Sequence, residues 1–393
     1  MQKNPISCAF CLFVCLALCA GALCLPVKSL PESSMLPASV NAAGAVLIEA
    51  ESGKVLFEQH AHTRMPMAST TKIMTALVVL EQCDLRATVC VDERAVGTEG
   101  SSVYLYPGER LTVEQLLFAL MLSSANDAAA ALAYEVAGSI EGFAALMNQK
   151  ADELGLLNTH FANPHGLDAQ GHYTTAYDLA RIAAYALENE DFLRIASTQK
   201  KVIPLQEQQG ARVLRNHNKL LASYQGCIGV KTGFTKKSGR CLVSAAEREG
   251  IRLICVTLDC PDDWRTHKAL LDSGFAAYER VLLADANVHV ATLPIAGGTQ
   301  DSLYVRTDAA VAVNLPRTRG QIRQSIQAVY PIYAPVQAGA YVGDAVWTLD
   351  GEEIARAPLY ATCEVTAAQA ESRPFGWFFA ILNKLKELLC LNK

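Results

Sequence analysis

Ser69 and Lys72 stand three positions apart in Met67-Ala68-Ser69-Thr70-Thr71-Lys72-Ile73-Met74-Thr75. On a helix that spacing puts two side chains on one face, with Cβ atoms about 5–6 Å apart. A serine hydroxyl is a weak nucleophile until a base sits beside it. Lysine becomes such a base when burial and nearby cations disfavour its charged form. The apolar run Ile73, Met74, Ala76, Leu77, Val78, Val79, Leu80 contains no Gly or Pro and predicts a buried helix. Ser69 then falls at its N-terminus, where free N–H groups and the helix dipole favour developing negative charge. Spacing alone is weak, because Ser-x-x-Lys arises by chance about once or twice in a chain of this length. Ser197-Thr198-Gln199-Lys200 repeats it, but runs into the extended Val202-Ile203-Pro204 and reads as a surface turn.

Two short elements follow downstream. Ser124-Ala125-Asn126 interrupts two apolar helical stretches, so its polar side chains sit in a loop walled by core. A hydroxyl there can relay a proton, and an amide can hold a lysine and a substrate carbonyl. Lys231-Thr232-Gly233 comes after the strand Ile228-Gly229-Val230. A cation and a hydroxyl on a strand edge suit a carboxylate, and Gly233 lets substrate backbone approach closely. Ser-x-Asn has a decoy at Ser39-Val40-Asn41. The ordered set of three, each in a fitting context, is a far stronger signal than any member.

These residues need a scaffold. Ala45–Ala50 and Val55–Glu58 read as a hairpin around Glu51-Ser52-Gly53-Lys54. Helices are expected around Ser69–Leu80, at Leu116–Leu122 behind a Thr112–Gln115 capping box, and at Ala128–Val136, Ile140–Leu154 and Thr175–Glu188. Phe161–Leu167 reads as a structured loop. Strands follow at Lys201–Pro204, Ile228–Val230, Arg240–Ala245 and Arg252–Leu258, then a covering helix at Trp264–Ala277. Strands at both ends with helices between predict an α+β domain over 42–283: an antiparallel sheet flanked by helices. From about residue 284 to 368, short alternating segments between Gly/Asp/Pro turns predict a small all-β domain.

The chain has 393 residues, 51% of them hydrophobic, and a net charge of −5, which argues against a nucleic-acid partner. Residues 1–25 read as an export signal with Lys3, an apolar run from Ile6 to Leu25, and small residues at Ala20-Gly21-Ala22. An uncleaved anchor is the alternative. Residues 26–41 form a Pro/Ser-containing linker. Of the 13 cysteines, five lie in the first 25 residues, and the rest show no metal-ligand spacing, so neither metal nor cofactor is expected. Cys241 and Cys255 flank a turn, either facing each other across a hairpin or buried as free thiols. Residues 374–391 place Trp377, Phe378, Ile381, Leu382, Leu385, Leu388 and Leu389 on one helical face, suited to a membrane interface or to packing on the chain's own domain.

With their flanks, the three motifs resemble those of serine-type D-alanyl-D-alanine carboxypeptidases, the low-molecular-mass penicillin-binding proteins. The likeness is carried by Pro66–Thr75, Ser124-Ala125-Asn126-Asp127-Ala128-Ala129, Asn163-Pro164-His165-Gly166-Leu167 and Gly229–Thr235. Gly339–Val365 is similar to that family's C-terminal β-domain, and the tail to its membrane-associating helix. Ala125 departs from the family's usual Gly, and Met67 from its usual Pro. The resemblance implies a β-lactamase/transpeptidase-like catalytic domain. It makes Ser69 the nucleophile, Lys72 its base and Ser124 the proton relay to the leaving D-alanine. Asn126 would orient Lys72 and substrate, Lys231 and Thr232 would bind the terminal carboxylate beside Gly233, and the N–H groups of Ser69 and Phe234 would form the oxyanion hole. The implied partners are peptidoglycan stem peptides, β-lactam antibiotics and a membrane surface, at the outer face of the cytoplasmic membrane or in the cell wall. His165 and its loop are read as scaffold, and Arg265 occupies the region where some relatives carry a substrate-binding arginine. Two rivals share the motifs: a β-lactamase, disfavoured by the extra β-domain and the absence of a fitting loop glutamate, and a catalytically dead wall-binding module.

Overall fold

A computed structural model of the chain describes residues 36–205, 210–328, 330–369, 381–382 and 384–387. The first unit is built on a five-stranded antiparallel sheet whose strands run, in spatial order, Val55–Gln59, Gly44–Glu49, Ile251–Leu258, Gly239–Arg248 and Cys227–Thr235. These strands are β1 (Gly44–Glu49), β2 (Val55–Gln59), β7 (Cys227–Thr235), β8 (Gly239–Arg248) and β9 (Ile251–Leu258). Between β2 and β7 lie the short pairs β3 (Thr88–Cys90) with β4 (Arg110–Thr112), and β5 (Lys200–Pro204) with β6 (Ala211–Arg215).

Both faces of the sheet are covered, and side-chain alternation divides them. Val46 and Ile48 of β1 enter a large cluster shared with the helices α1 (Lys72–Gln82), α2 (Val113–Leu122), α3 (Asn126–Ala137), α4 (Ile140–Glu153), α5 (Ala176–Ala186) and α6 (Glu190–Ser197). Ala45 and Leu47 enter a second cluster with Leu220 of the short helix α7 (Leu220–Ser223) and Leu270 and Leu271 of α8 (Asp263–Ala277). This explains why β1 reads as a continuous apolar run rather than an alternating one. Cys241 belongs to the first cluster and Cys255 to the second, so the two thiols face opposite sides of the sheet and both are free.

The expected helix at Ser69 opens as one 3-10 turn, Ala68–Thr71, and becomes α-helical at Lys72. In 3-10 geometry positions i and i+3 eclipse, which brings Ser69 and Lys72 together more directly than an α-turn does. The capping box at α2 is present: Thr112 Oγ1 accepts from Gln115 N–H at 3.2 Å, and Gln115 Oε1 accepts from Thr112 N–H at 2.9 Å. β7 runs from Cys227 through Thr235, so Lys231-Thr232-Gly233 lies inside the strand and not beyond its end. The expected strand, Ile228–Val230, is shorter than this, and pairing with β8 continues through Gly229 and Gly233.

The second unit is all-β. β10 (Tyr278–Ala284) pairs with β13 (Val311–Pro316). A six-stranded sheet has the order β14-β16-β17-β12-β11-β15, from β11 (His289–Ala296), β12 (Ser302–Arg306), β14 (Ile322–Ala328), β15 (Ile332–Tyr333), β16 (Tyr341–Leu349) and β17 (Glu352–Ala361). Its core holds Leu293, Leu303, Val305, Trp347 and Leu359. Strand pairing of this unit thus begins at Tyr278, ahead of the break expected at residue 284, because β10 carries no turn signal separating it from α8. The expected export signal and most of the linker lie outside the described residues. Of the expected tail helix, 374–391, only 381–382 and 384–387 are described, and these are helical. Among the described residues, no single helix is long and apolar enough to cross a membrane.

Candidate active site

Lys72 is the first residue of α1, and its side chain is fully buried. Nζ lies 3.0 Å from Ser69 Oγ, 2.6 Å from Asn126 Oδ1 and 2.5 Å from the carbonyl oxygen of His165. Two of these partners, an amide oxygen and a backbone carbonyl, can only accept hydrogen bonds. Once the amine is neutral, these two take its N–H groups and its lone pair is left to the Ser69 hydroxyl. Burial holds the Lys72 ammonium well below the usual lysine range; the charge of Lys231 lowers it further, and Asp127 opposes both.

Ser124 joins α2 to α3 in a left-handed conformation, φ 57°, which turns its side chain back toward the sheet. Its Oγ accepts from Lys231 Nζ at 3.0 Å, and the same ammonium donates to the Thr232 carbonyl at 3.0 Å. Lys231 is 1% exposed, and burial pushes it down to about 7. β7 is an edge strand of the sheet, so one side is free to pair with an extended peptide. A cavity of about 360 Å³ opens along it, lined by Ser69, Ser124, Thr232, Gly233 and Phe234, with Arg240 and Trp264 farther along. All eight expected residues therefore meet: five on the wall, and Lys72, Asn126 and Lys231 bonded to the serines or to each other.

Most of what positions them lies outside the three motifs. The Asn126 amide N–H₂ is engaged by the Glu99 carbonyl at 2.5 Å, and the Asn126 backbone N–H by the Ser101 carbonyl at 2.7 Å. Asp127, fully buried, gathers the loop that supplies these carbonyls by accepting from Ser102 Oγ, Val103 N–H and Leu105 N–H. The Asn163–Leu167 loop contributes backbone: the His165 carbonyl to Lys72 and the Pro164 carbonyl to Thr75 Oγ1 at 2.6 Å. The signals available were an acid directly after Ser124-Ala125-Asn126 and an Asn-Pro-His-Gly run, neither of which names its partner. Arg265 does not line the cavity; its side chain is 85% exposed and pairs with Asp262 at 2.6 Å. Arg240 lines it instead, donating to both oxygens of buried Asp263.

Known proteins resemble the chain along most of its length. Residues 31–262 match the family model described as D-alanyl-D-alanine carboxypeptidase, and residues 278–367 match the penicillin-binding protein 5 C-terminal domain. The chain is 35% identical over 331 residues to D-alanyl-D-alanine carboxypeptidase DacF of Bacillus subtilis, spanning 81% of this chain and 85% of that protein. It is 33% identical to DacA of Escherichia coli over 90% of this chain and 89% of that protein. The crystal structure of penicillin binding protein 5 from Haemophilus influenzae superposes with a TM-score of 0.66 at 28% identity, covering 84% of this chain and 99% of that one. The chain belongs to the D-alanyl-D-alanine carboxypeptidase family of serine peptidases.

Proposed function

We propose that this protein removes the terminal D-alanine from peptidoglycan stem pentapeptides through an acyl-enzyme on Ser69. The observation that carries the reading is the environment of Lys72 Nζ, whose two acceptor-only partners leave one lone pair for the Ser69 proton 3.0 Å away. As Ser69 Oγ attacks the penultimate D-alanine carbonyl, its proton passes to Lys72. The new oxyanion is met by the N–H groups of Ser69 and Phe234. The C–N bond then breaks, and the leaving amine takes a proton by way of Ser124. Water hydrolyses the ester, releasing the shortened stem and restoring Ser69. Lys231 and Thr232 hold the free carboxylate that marks the end of the substrate, and Asn126 keeps Lys72 aligned.

A β-lactam presents a strained amide beside a carboxylate and enters the same step. The family relation supports action on D-Ala-D-Ala ends in the periplasm or cell wall. The basic, apolar N-terminus and the amphipathic tail support export through residues 1–25 and attachment to the membrane surface through 374–391. The domain limits 42–283 and 284–368 are proposed on the change to short alternating segments near residue 284, with β10 as the strand that leads from the first unit into the second.

The test is a synthetic pentapeptide ending in D-Ala-D-Ala, with products read by mass spectrometry, beside labelling by a fluorescent penicillin. Wild type should release one D-alanine and take the label, and Ser69→Ala should do neither. Rapid penicillin clearance with the peptide spared points to a β-lactamase, and an unlabelled wild type to a wall-binding module.

A further inference from the structure

Ala68 and Ser69 share one peptide group, and in a trans peptide the Ala68 C=O and the Ser69 N–H point in opposite directions. Ala68 is a buried non-glycine residue with φ 47°, a state its surroundings must maintain. Its carbonyl accepts from Thr71 Oγ1 at 2.8 Å. Thr71 Oγ1 lies 2.8 Å from His172 Nε2, and His172 Nδ1 accepts from the Ala162 N–H at 3.0 Å. The Ala162 bond sets the tautomer: Nδ1 is the acceptor, so Nε2 carries the proton and donates to Thr71. The Thr71 O–H is then directed to Ala68. On the other side of the same peptide, a Cβ at Gly233 would stand 3.0 Å from Ser69 N, so this nitrogen faces the strand that borders the cavity.

We propose that His172 is a positioning residue of the reaction: through Thr71 it holds the Ala68–Ser69 peptide so that the Ser69 N–H is aimed at the developing oxyanion. The proposal rests on the acyl-enzyme reading above. His172 is 7% exposed and does not line the cavity, so it acts only through the peptide. Neither the Ser-x-x-Lys motif nor its two companions includes it.

Three variants test the relay. His172→Leu removes both of its bonds, His172→Gln keeps one acceptor and one donor, and Thr71→Val removes the central hydroxyl. Acylation of Ser69 by a fluorescent penicillin should slow about 10- to 100-fold in His172→Leu and Thr71→Val, less than outright loss of one oxyanion-hole donor at its most severe. His172→Gln should recover most of the rate. The double variant Thr71→Val/His172→Leu should be no slower than the slower single, because both cut one chain. In a Ser69→Ala background, affinity for a D-Ala-D-Ala peptide should change little, since the aimed N–H acts mainly on the tetrahedral state. Wild-type rates in both single variants, Gln as slow as Leu, additive losses, or a defect confined to peptide affinity would each overturn the proposal. If thermal melting shows His172→Leu unfolded, Thr71→Val and His172→Gln carry the comparison. An unlabelled wild type sinks the acyl-enzyme reading itself, a result separable from any failure of the relay.

Discussion

A Cβ placed on Gly166 would fall 2.0 Å from the Ala68 carbonyl oxygen, one residue before the proposed nucleophile Ser69. Both groups are backbone and neither is free to withdraw. Gly166 N–H donates to Asn163 Oδ1 at 2.7 Å, and the preceding carbonyl, of His165, holds Lys72. Gly166 also has φ 90°, which side-chain-bearing residues rarely adopt. Gly166→Ala should therefore destabilise the fold by more than about 2 kcal/mol and abolish penicillin labelling. Urea melts and a labelling gel check this; wild-type behaviour in both would show that the contact relaxes.

Lys72→Met keeps the length of the side chain and removes the proposed base. Its acylation rate should fall about 10²- to 10⁴-fold, the usual range for a general base. Ser197→Ala and Lys200→Met, which alter the same spacing elsewhere, should label like wild type, since Ser197 ends α6 and Lys200 begins β5. Stopped-flow acylation measures all three.

Lys231 gives stability a defined pH slope. Burial pushes its pKa down to about 7, whereas an unfolded lysine titrates near ~10.4. Between these values the unfolded chain holds a proton that the native chain lacks, so this residue makes stability rise with pH. From pH 8 to pH 9 the unfolding free energy of wild type minus that of Lys231→Met should grow by ~1.4 kcal/mol. A difference that stays flat removes the claim. In activity, kcat/KM should fall as Lys231 loses its proton, because the neutral amine no longer draws the substrate carboxylate.

Arg212 reaches from β6 to the loop over the site. It donates to the Val103 carbonyl at 2.7 Å, the Tyr104 carbonyl at 2.9 Å and buried Glu109 at 2.9 Å. Arg212→Ala leaves Glu109 buried without its cation, a change that costs roughly 3–5 kcal/mol when a buried pair is broken. Freeing this loop should also loosen the Glu99 and Ser101 carbonyls that hold Asn126, so acylation should slow in the folded fraction. Arg212→Ala/Glu109→Gln should recover part of the stability, measured by urea unfolding. No recovery would mean that the bonds to the Val103 and Tyr104 carbonyls, and not the ion pair, dominate.

Much of the architecture was legible because its causes are local. The apolar run after Lys72 requires burial, the Thr112–Gln115 box caps its own helix, and the apolar stretches at β1 and β9 pair wherever a sheet forms. Ser69 and Lys72 could be matched from spacing because helical geometry alone brings positions i and i+3 together. The bond between Ser124 and Lys231 spans 107 residues, and no local rule predicts it. Only their chemistry suggested a shared site.

What folding alone decided is how those side chains are charged and aimed. The proposed base, Lys72, is set up by a packed chain that withholds water from it and offers two carbonyl-type acceptors, from Asn126 and His165, that lie 54 and 93 residues away. The Arg265 expectation failed for the complementary reason: a helix position near the cleft does not say whether a long side chain turns inward, and here it pairs with Asp262 in solvent. Residue types and spacing along the chain determined which reaction this protein is equipped for. Desolvation and long-range backbone contacts, which exist only after folding, decided which atoms can carry it out.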